Sequence, residues 1–288
     1  MLLQIDRATF DENFAKTGFR IGHHLVDHPL FQLPRLLELA QALPGDRVEY
    51  NAGKLAVNQD PAKTPLNGLS IAETIRRIEG CSSWMVLKNI ERDAAYGKLL
   101  ADCLADVAAT GHAEARGMCG SEAFVFISSP GSITPYHIDP ELNFLLQICG
   151  SKTLTVFPCD DREMLTDEEL ERFYIGAHRN LVYRDEFAVK GVPFEMHPGD
   201  GVHVPVTSPH HVRNGPEVSI SFSITFRTPA TERRGIVYSV NHSLRQRGWK
   251  PTPYGRSWLK DTLKMNGHRV LRRLRKLIGA KEPAQTGS

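Results

Sequence analysis

The sequence predicts an α+β protein, mainly β, whose core is a sandwich or barrel closed as a jelly roll, with an N-terminal α/β extension and C-terminal helices. Three observations point there. Between residues 122 and 228 short apolar strands follow one another, separated by turn residues. Ahead of residue 122, strand-like and helix-like stretches alternate, and after Pro229 the chain turns helical and basic. The expected organisation is therefore 1–121 as the extension, 122–228 as the core and 229–288 as a helical basic tail.

Within the extension, FRIGHHLV (19–26) reads as a strand and HPLFQLPRLLELAQAL as a helix. RVEYNAG is a strand, and SIAETIRRIEG is a helix opened by a capping box between Ser70 and Glu73. SWMVLKNI is again a strand, and ERDAAYGKLLADCLADVAATG keeps Leu and Ala at helical spacing until Gly111. In the core, AFVFISS, FLLQICG, KTLTVFP, FEMHPGDGVHVPV, HHVRNG and VSISFSITFRT carry the strand signal. An acidic segment, DDREMLTDEELERFYIG, interrupts them; the box from Thr166 to Glu169 marks it as a helix, expected to be solvated in a loop. The last residues, KEPAQTGS, have the composition of a disordered end.

Bulk properties exclude several classes. Lys and Arg number 35 against 33 Asp and Glu, so the net +2 gives no global field of the kind that draws in nucleic acid or a lipid surface, and any electrostatic partner must be local. Five cysteines, odd in number and without a C-x-x-C pair, argue against a disulfide framework or a zinc ribbon and fit a reducing, cytoplasmic setting. No run of eighteen apolar residues and no signal peptide is seen.

The chemistry sits in TPYHIDPELNFLLQICGSK, Thr134 to Lys152. Side chains two apart on a strand share a face, so His137 and Asp139 form a two-ligand claw if the segment is extended. A third ligand comes from PGDGVHVPVTSPHHVRNG, where His210 or His211 opens a strand. Two imidazoles and a carboxylate that leave three positions open make the facial triad of non-haem Fe(II) oxygenases. Lys152, thirteen residues past Asp139 in an apolar strand, is costly there unless paired, and a substrate carboxylate would pair it. A solvent-facing lysine at a strand start is the plainer alternative.

These residues resemble the JmjC, cupin-like family of Fe(II)/2-oxoglutarate dioxygenases, and within it the asparaginyl hydroxylases that act on hypoxia-inducible factor. The shared frame is Thr134-Pro135-x-His137-x-Asp139, Asn143-Phe144 and Gln147-Ile148-x-Gly150-x-Lys152, followed by Pro198-Gly199-Asp200 and a proline, Pro205, five residues before His210. The resemblance implies a double-stranded β-helix core, Fe(II) on His137, Asp139 and His210, and 2-oxoglutarate with its distal carboxylate on Lys152. Thr134 would add a hydroxyl to that carboxylate, Asn143 would lie near the iron-bound end, and Ser223 or Thr225 would stand near the co-substrate. The implied activity is a hydroxylation that consumes O2 and 2-oxoglutarate. Two departures stand out: Thr207-Ser208-Pro209 replaces the family's aromatics before the last histidine, and no tyrosine is evident for the co-substrate, the SWMVLKNI strand being the place to look.

Two other readings stay open at this level: a non-catalytic binding protein on the same fold, and a metal cupin enzyme that does not use 2-oxoglutarate. The prime substrate, protein side chain or small molecule, lies in loops without a readable code. In the tail, Leu259, Leu263, Val270, Leu274 and Ile278 form one helical stripe amid Lys and Arg. That helix could pack on its own barrel, form a homodimer, or meet an anionic surface such as lipid.

Overall fold

In the computed structural model, which describes residues 1–277, the chain opens with strand β1 (Leu3–Gln4), helix α1 (Arg7–Asn13) and strand β2 (Phe19–His23). The first two go beyond the sequence expectation. Asp6 caps α1 by accepting from Thr9 N at 2.8 Å, and Phe10 and Phe14, one turn apart, bury their stacked rings 4.3 Å from each other. Helix α2 (Leu33–Ala42), strand β3 (Val48–Ala52), helix α3 (Ile71–Arg76) and strand β4 (Ser83–Lys88) follow as expected. Both halves of the Ser70–Glu73 capping box are made. Helix α4 (Ala94–Ala109) buries Tyr96, Leu99, Leu100, Cys103 and Val107 on one stripe, and Gly111 leaves it at φ +71.

The core strands are β5 (Cys119–Ser128), β6 (Ile133–His137), β7 (Leu142–Cys149), β8 (Lys152–Val156), β9 (Val192–Met196), β10 (Asp200–Val204), β11 (His210–Asn214) and β12 (Ser219–Arg227). They form two antiparallel sheets, one ordered β1-β2-β10-β7-β12-β5-β4-β3 and the other β6-β11-β8-β9. This is the expected jelly roll, and the N-terminal strands lengthen its large sheet at both edges. Leu145, Val202 and Val204 from the large sheet meet Leu154, Val156, Phe194, Met196 and Val212 from the small one, forming the apolar layer between the sheets. A larger core, containing Phe144, Phe222 and Phe226, lies on the other face of the large sheet under α1, α2 and α4.

Two compact units result. One is Met1–Cys159 with Asn180–Thr228; the other is Asp160–Arg179 with the chain from Pro229 onward. The second contains α5 (Asp167–Phe173), α6 (Pro229–Arg245) and α7 (Trp258–Leu277). The acidic helix α5 is not merely a solvated insert: Leu170 and Glu171 are buried, and Arg245 of α6 grips Glu171 through Nε and Nη2 at 2.8 and 3.0 Å. All five cysteines are free. Among the described residues no helix is long and apolar enough to cross a membrane. Ile278 and the end at 281–288 lie outside the described residues.

Candidate metal centre

The small sheet sets out the site. In an antiparallel pair, residues directly opposite one another point to the same face. His210 stands opposite His137 on β6 and Val156 on β8, Val212 opposite Thr134 and Leu154, and Asn214 opposite Lys152. Leu154, Val156 and Val212 belong to the layer between the sheets, so this face looks inward and carries His137, Thr134, His210, Asn214 and Lys152 with it. The period of two would put Thr134 and His137 on opposite faces. An extra residue in β6 between these two pairings, a β-bulge, turns both inward.

Asp139 lies just past β6 and completes the group. His137 Nε2 is 3.6 Å and His210 Nε2 3.5 Å from Asp139 Oδ2, and the ligand atoms of all three lie within 4.8 Å of one another. Both histidines are buried, with ring centroids 4.1 Å apart. Their remaining nitrogens settle the tautomer. His137 Nδ1 is 2.7 Å from Pro135 O and His210 Nδ1 is 2.9 Å from Ser208 O, and a carbonyl only accepts. Each Nδ1 therefore donates to its carbonyl, which leaves Nε2, the nitrogen facing the carboxylate, as the one available to a metal, the arrangement by which outer hydrogen bonds orient metal-bound histidines.

The turn before β11 is tied to the same place. Thr207 N donates to Asp139 O at 2.8 Å, and Thr207 itself sits at φ 57, an uncommon conformation for a β-branched residue. His211, next in sequence, alternates to the other face. It packs against the rings of Phe157 and Tyr183 at 6.0 and 5.8 Å, and burial pulls its imidazole down to about 4. The structure thus brings His210, and not His211, to His137 and Asp139.

Lys152 is 6% exposed, and burial alone lowers its amine to about 7. Among the described residues no acidic side chain forms an ion pair with it. Opposite it, Asn214 Oδ1 is buried without a hydrogen-bond partner, while Asn214 Nδ2 donates to Ser132 O at 3.0 Å. A buried ammonium beside an unmatched amide oxygen is a site short of a polar ligand. The solvent-facing alternative for Lys152 is excluded by its burial.

On the large sheet, Asn143 pairs with Thr225 and Leu145 with Ser223 across β7 and β12. Leu145 points into the layer between the sheets, and Asn143, two residues away, shares its face. Ser223 Oγ donates to Asn143 Oδ1 at 2.8 Å, and Thr225 Oγ1 to Glu122 O at 3.3 Å. Strand β4 presents Trp84, Val86 and Lys88 on the side of Phe126 and Phe124, with Trp84 6.1 Å from Phe126; no tyrosine of β4 takes the place sought there.

Two residues were passed over in the sequence. Asn214 follows His210 by four on one strand and so falls on its face, a relation visible once β11 is assigned. Glu141 follows Asp139 by two; burial raises its carboxyl, which Arg227 partly offsets through Nε and Nη2 at 3.2 and 2.5 Å. The nearby Asp139 charge raises it further.

Comparison with known proteins agrees with this architecture. A family model described as a cupin-like domain matches residues 38–232, roughly two thirds of the chain. No curated protein matches the sequence. Among solved structures, YcfD of Escherichia coli is 16% identical over 96% of this chain and 69% of its own, with a TM-score of 0.55. Another YcfD structure, described as a ribosomal oxygenase in complex with cobalt and 2-oxoglutarate, is 15% identical over 95% of this chain and 68% of its own, at a TM-score of 0.48. At such identities the likeness speaks to the fold alone.

Proposed function

This chain belongs to the cupin-like domain family, and from that premise we propose that it is an Fe(II)- and 2-oxoglutarate-dependent oxygenase that hydroxylates a C–H bond of a protein side chain or small molecule. The observation that carries the reading is the pairing of two inward-facing features. Nε2 of His137, Nε2 of His210 and the Asp139 carboxylate converge within 4.8 Å, and on the same sheet face a buried lysine has no counter-charge among the described residues. Three protein ligands suit Fe(II) and leave three adjacent positions for a bidentate co-substrate and O2. An isolated buried ammonium suits the distal carboxylate of a dicarboxylate.

When bound, iron, 2-oxoglutarate and O2 would supply the oxidative decarboxylation, giving succinate and CO2, that is coupled to oxidation of the substrate. The chain's own part is to hold and to exclude. The carbonyls of Pro135 and Ser208 keep both imidazoles with Nε2 as acceptor. Lys152 would bind the distal carboxylate, with Thr134 on the same face and Asn214 Nδ2 held by Ser132. Asn143, fixed by Ser223, would lie near the iron-bound end, and the wall of Leu145, Leu154, Val156 and Val212 keeps water out. The narrower likeness to the asparaginyl hydroxylases rests on the sequence frame around His137 and Lys152. YcfD, 15% identical to this chain, is described as a ribosomal oxygenase.

The test is equilibrium binding of Fe(II) to the anaerobic protein against a competing chelator, with and without 2-oxoglutarate. One Fe(II) per chain is expected, held more tightly when 2-oxoglutarate is present, and Asp139→Ala should lose both effects. Equal iron uptake by wild type and Asp139→Ala would remove the triad from the account.

A further inference from the structure

Helix α7 packs by its polar side and leaves its apolar side bare. At 3.6 residues per turn, Leu259, Leu263, Val270 and Leu274 fall within an arc of about 60° and run for about 22 Å. They are 62%, 62%, 54% and 51% exposed. The side turned inward carries Asp261, 3% exposed and accepting from Gly255 N at 2.9 Å, together with the half-buried Lys264, Met265 and His268. Lys264 Nζ donates to Thr252 O at 2.6 Å, fixing that side through polar contacts. Surface helices ordinarily do the reverse and bury the apolar stripe. Within its own unit, then, the packed side of α7 is held by polar groups and the apolar stripe is left exposed.

Charge narrows what the stripe can meet. Arg269 and Arg273 border it on one edge and Lys260 on the other, all exposed, while the one acidic residue of the helix, Asp261, is buried. A second copy laid on the stripe would bring these cationic edges against each other, a like-charge arrangement that disfavours the pair. An anionic lipid surface satisfies both features, since leucines enter the acyl boundary while the flanking Arg and Lys reach the headgroups. Trp258, the first residue of α7, and Trp249, in the preceding loop, are 71% and 68% exposed, and such rings are favoured at headgroup depth. With no membrane-crossing helix among the described residues, the mode is lying on the bilayer rather than spanning it.

We propose that the Leu259–Leu263–Val270–Leu274 stripe of α7, edged by Lys260, Arg269 and Arg273, docks the protein on anionic phospholipid membranes. The inference does not depend on the metal reading. It is tested by floating the full chain with vesicles of phosphatidylcholine and phosphatidylglycerol at three to one, and with vesicles of phosphatidylcholine alone. Wild type should bind the anionic vesicles at least about tenfold better, and the preference should shrink in high salt. The doubly substituted variants Leu263→Glu/Leu274→Glu and Arg269→Glu/Arg273→Glu should each lose binding at least about tenfold. Their circular dichroism and Fe(II) retention should stay as in wild type, because these side chains are exposed and remote from His137 in the chain. Equal binding to both vesicle types would overturn the proposal, as would full binding by the leucine variant. A solution dimer that the leucine variant dissociates, with no vesicle binding by wild type, would also overturn it and give the stripe to a second copy.

Discussion

Replacing Lys152 by methionine should stabilise the ligand-free protein and, in the same variant, remove most of its affinity for 2-oxoglutarate. The amine is held at about 7 in the folded chain against an ordinary 10.5, by desolvation alone. Between those two values the unfolded chain keeps a proton that the folded chain has shed, so stability rises with pH from about 7 to about 10.5 and levels off above. At neutral pH the buried amine costs on the order of 4 kcal/mol relative to that plateau. Methionine fills nearly the same volume without the charge, and at about 2–4 °C per kcal/mol for a chain of this size the melting midpoint at pH 7 should rise by several degrees. The loss in binding has the opposite sense. Without the ammonium a buried distal carboxylate is stranded at about 3–5 kcal/mol, a fall of about two to four decades in affinity. Scanning fluorimetry from pH 7 to 10 and anaerobic calorimetric titration of 2-oxoglutarate measure both. If the variant binds 2-oxoglutarate as tightly as wild type, the lysine is not the anchor; if it melts no higher, the buried amine carries no such cost.

Three further outcomes are expected. His210→Ala should abolish Fe(II) binding while His211→Ala retains it, as read by chelator competition, because only His210 faces His137. Binding of 2-oxoglutarate should take up protons near neutrality, so that its affinity falls by up to about tenfold per pH unit above about 7; titrations in buffers of different ionisation enthalpy detect the uptake. Gly150, at φ +67 between β7 and β8, has Val218 O only 2.2 Å from where a Cβ would stand. Gly150→Ala should therefore cost at least about 1–2 kcal/mol in urea unfolding and, by shifting the start of β8, weaken 2-oxoglutarate binding at Lys152.

Local signals were legible where one residue's neighbours decide its fate. The capping box at Ser70, the helix stop at Gly111 and the apolar strands from 122 onward were readable because caps, left-handed turns and periodicity act within a few positions. The triad was readable for the same reason only in part. His137 and Asp139 are two apart, but the choice of His210 over His211 depends on which strand face turns inward, and that is set by pairing with β6 and β8. Thr134 and His137, three apart, share a face through a bulge that no strand periodicity announces. Burial of Lys152 and the orphaned Asn214 oxygen arise from pairing between β8 and β11, more than fifty residues apart in sequence. The exposed leucines of α7 had the pattern of a packed stripe; what they meet is decided by Asp261 and Lys264 occupying the inward side, a tertiary fact. Helix α1 was missed because its two anchoring phenylalanines are too few to carry a periodic signal.

Oxygenase chemistry of this kind requires iron and 2-oxoglutarate to meet at one centre, and the absorption of the anaerobic Fe(II) protein on addition of 2-oxoglutarate reads that directly. A visible metal-to-ligand charge-transfer band should grow to saturation at one 2-oxoglutarate per iron, should be absent in Asp139→Ala, and should require much higher 2-oxoglutarate in Lys152→Met. An iron-loaded wild-type protein that shows no such band at saturating 2-oxoglutarate would contradict the assignment and leave the His137, Asp139 and His210 cluster as the metal site of a different cupin chemistry.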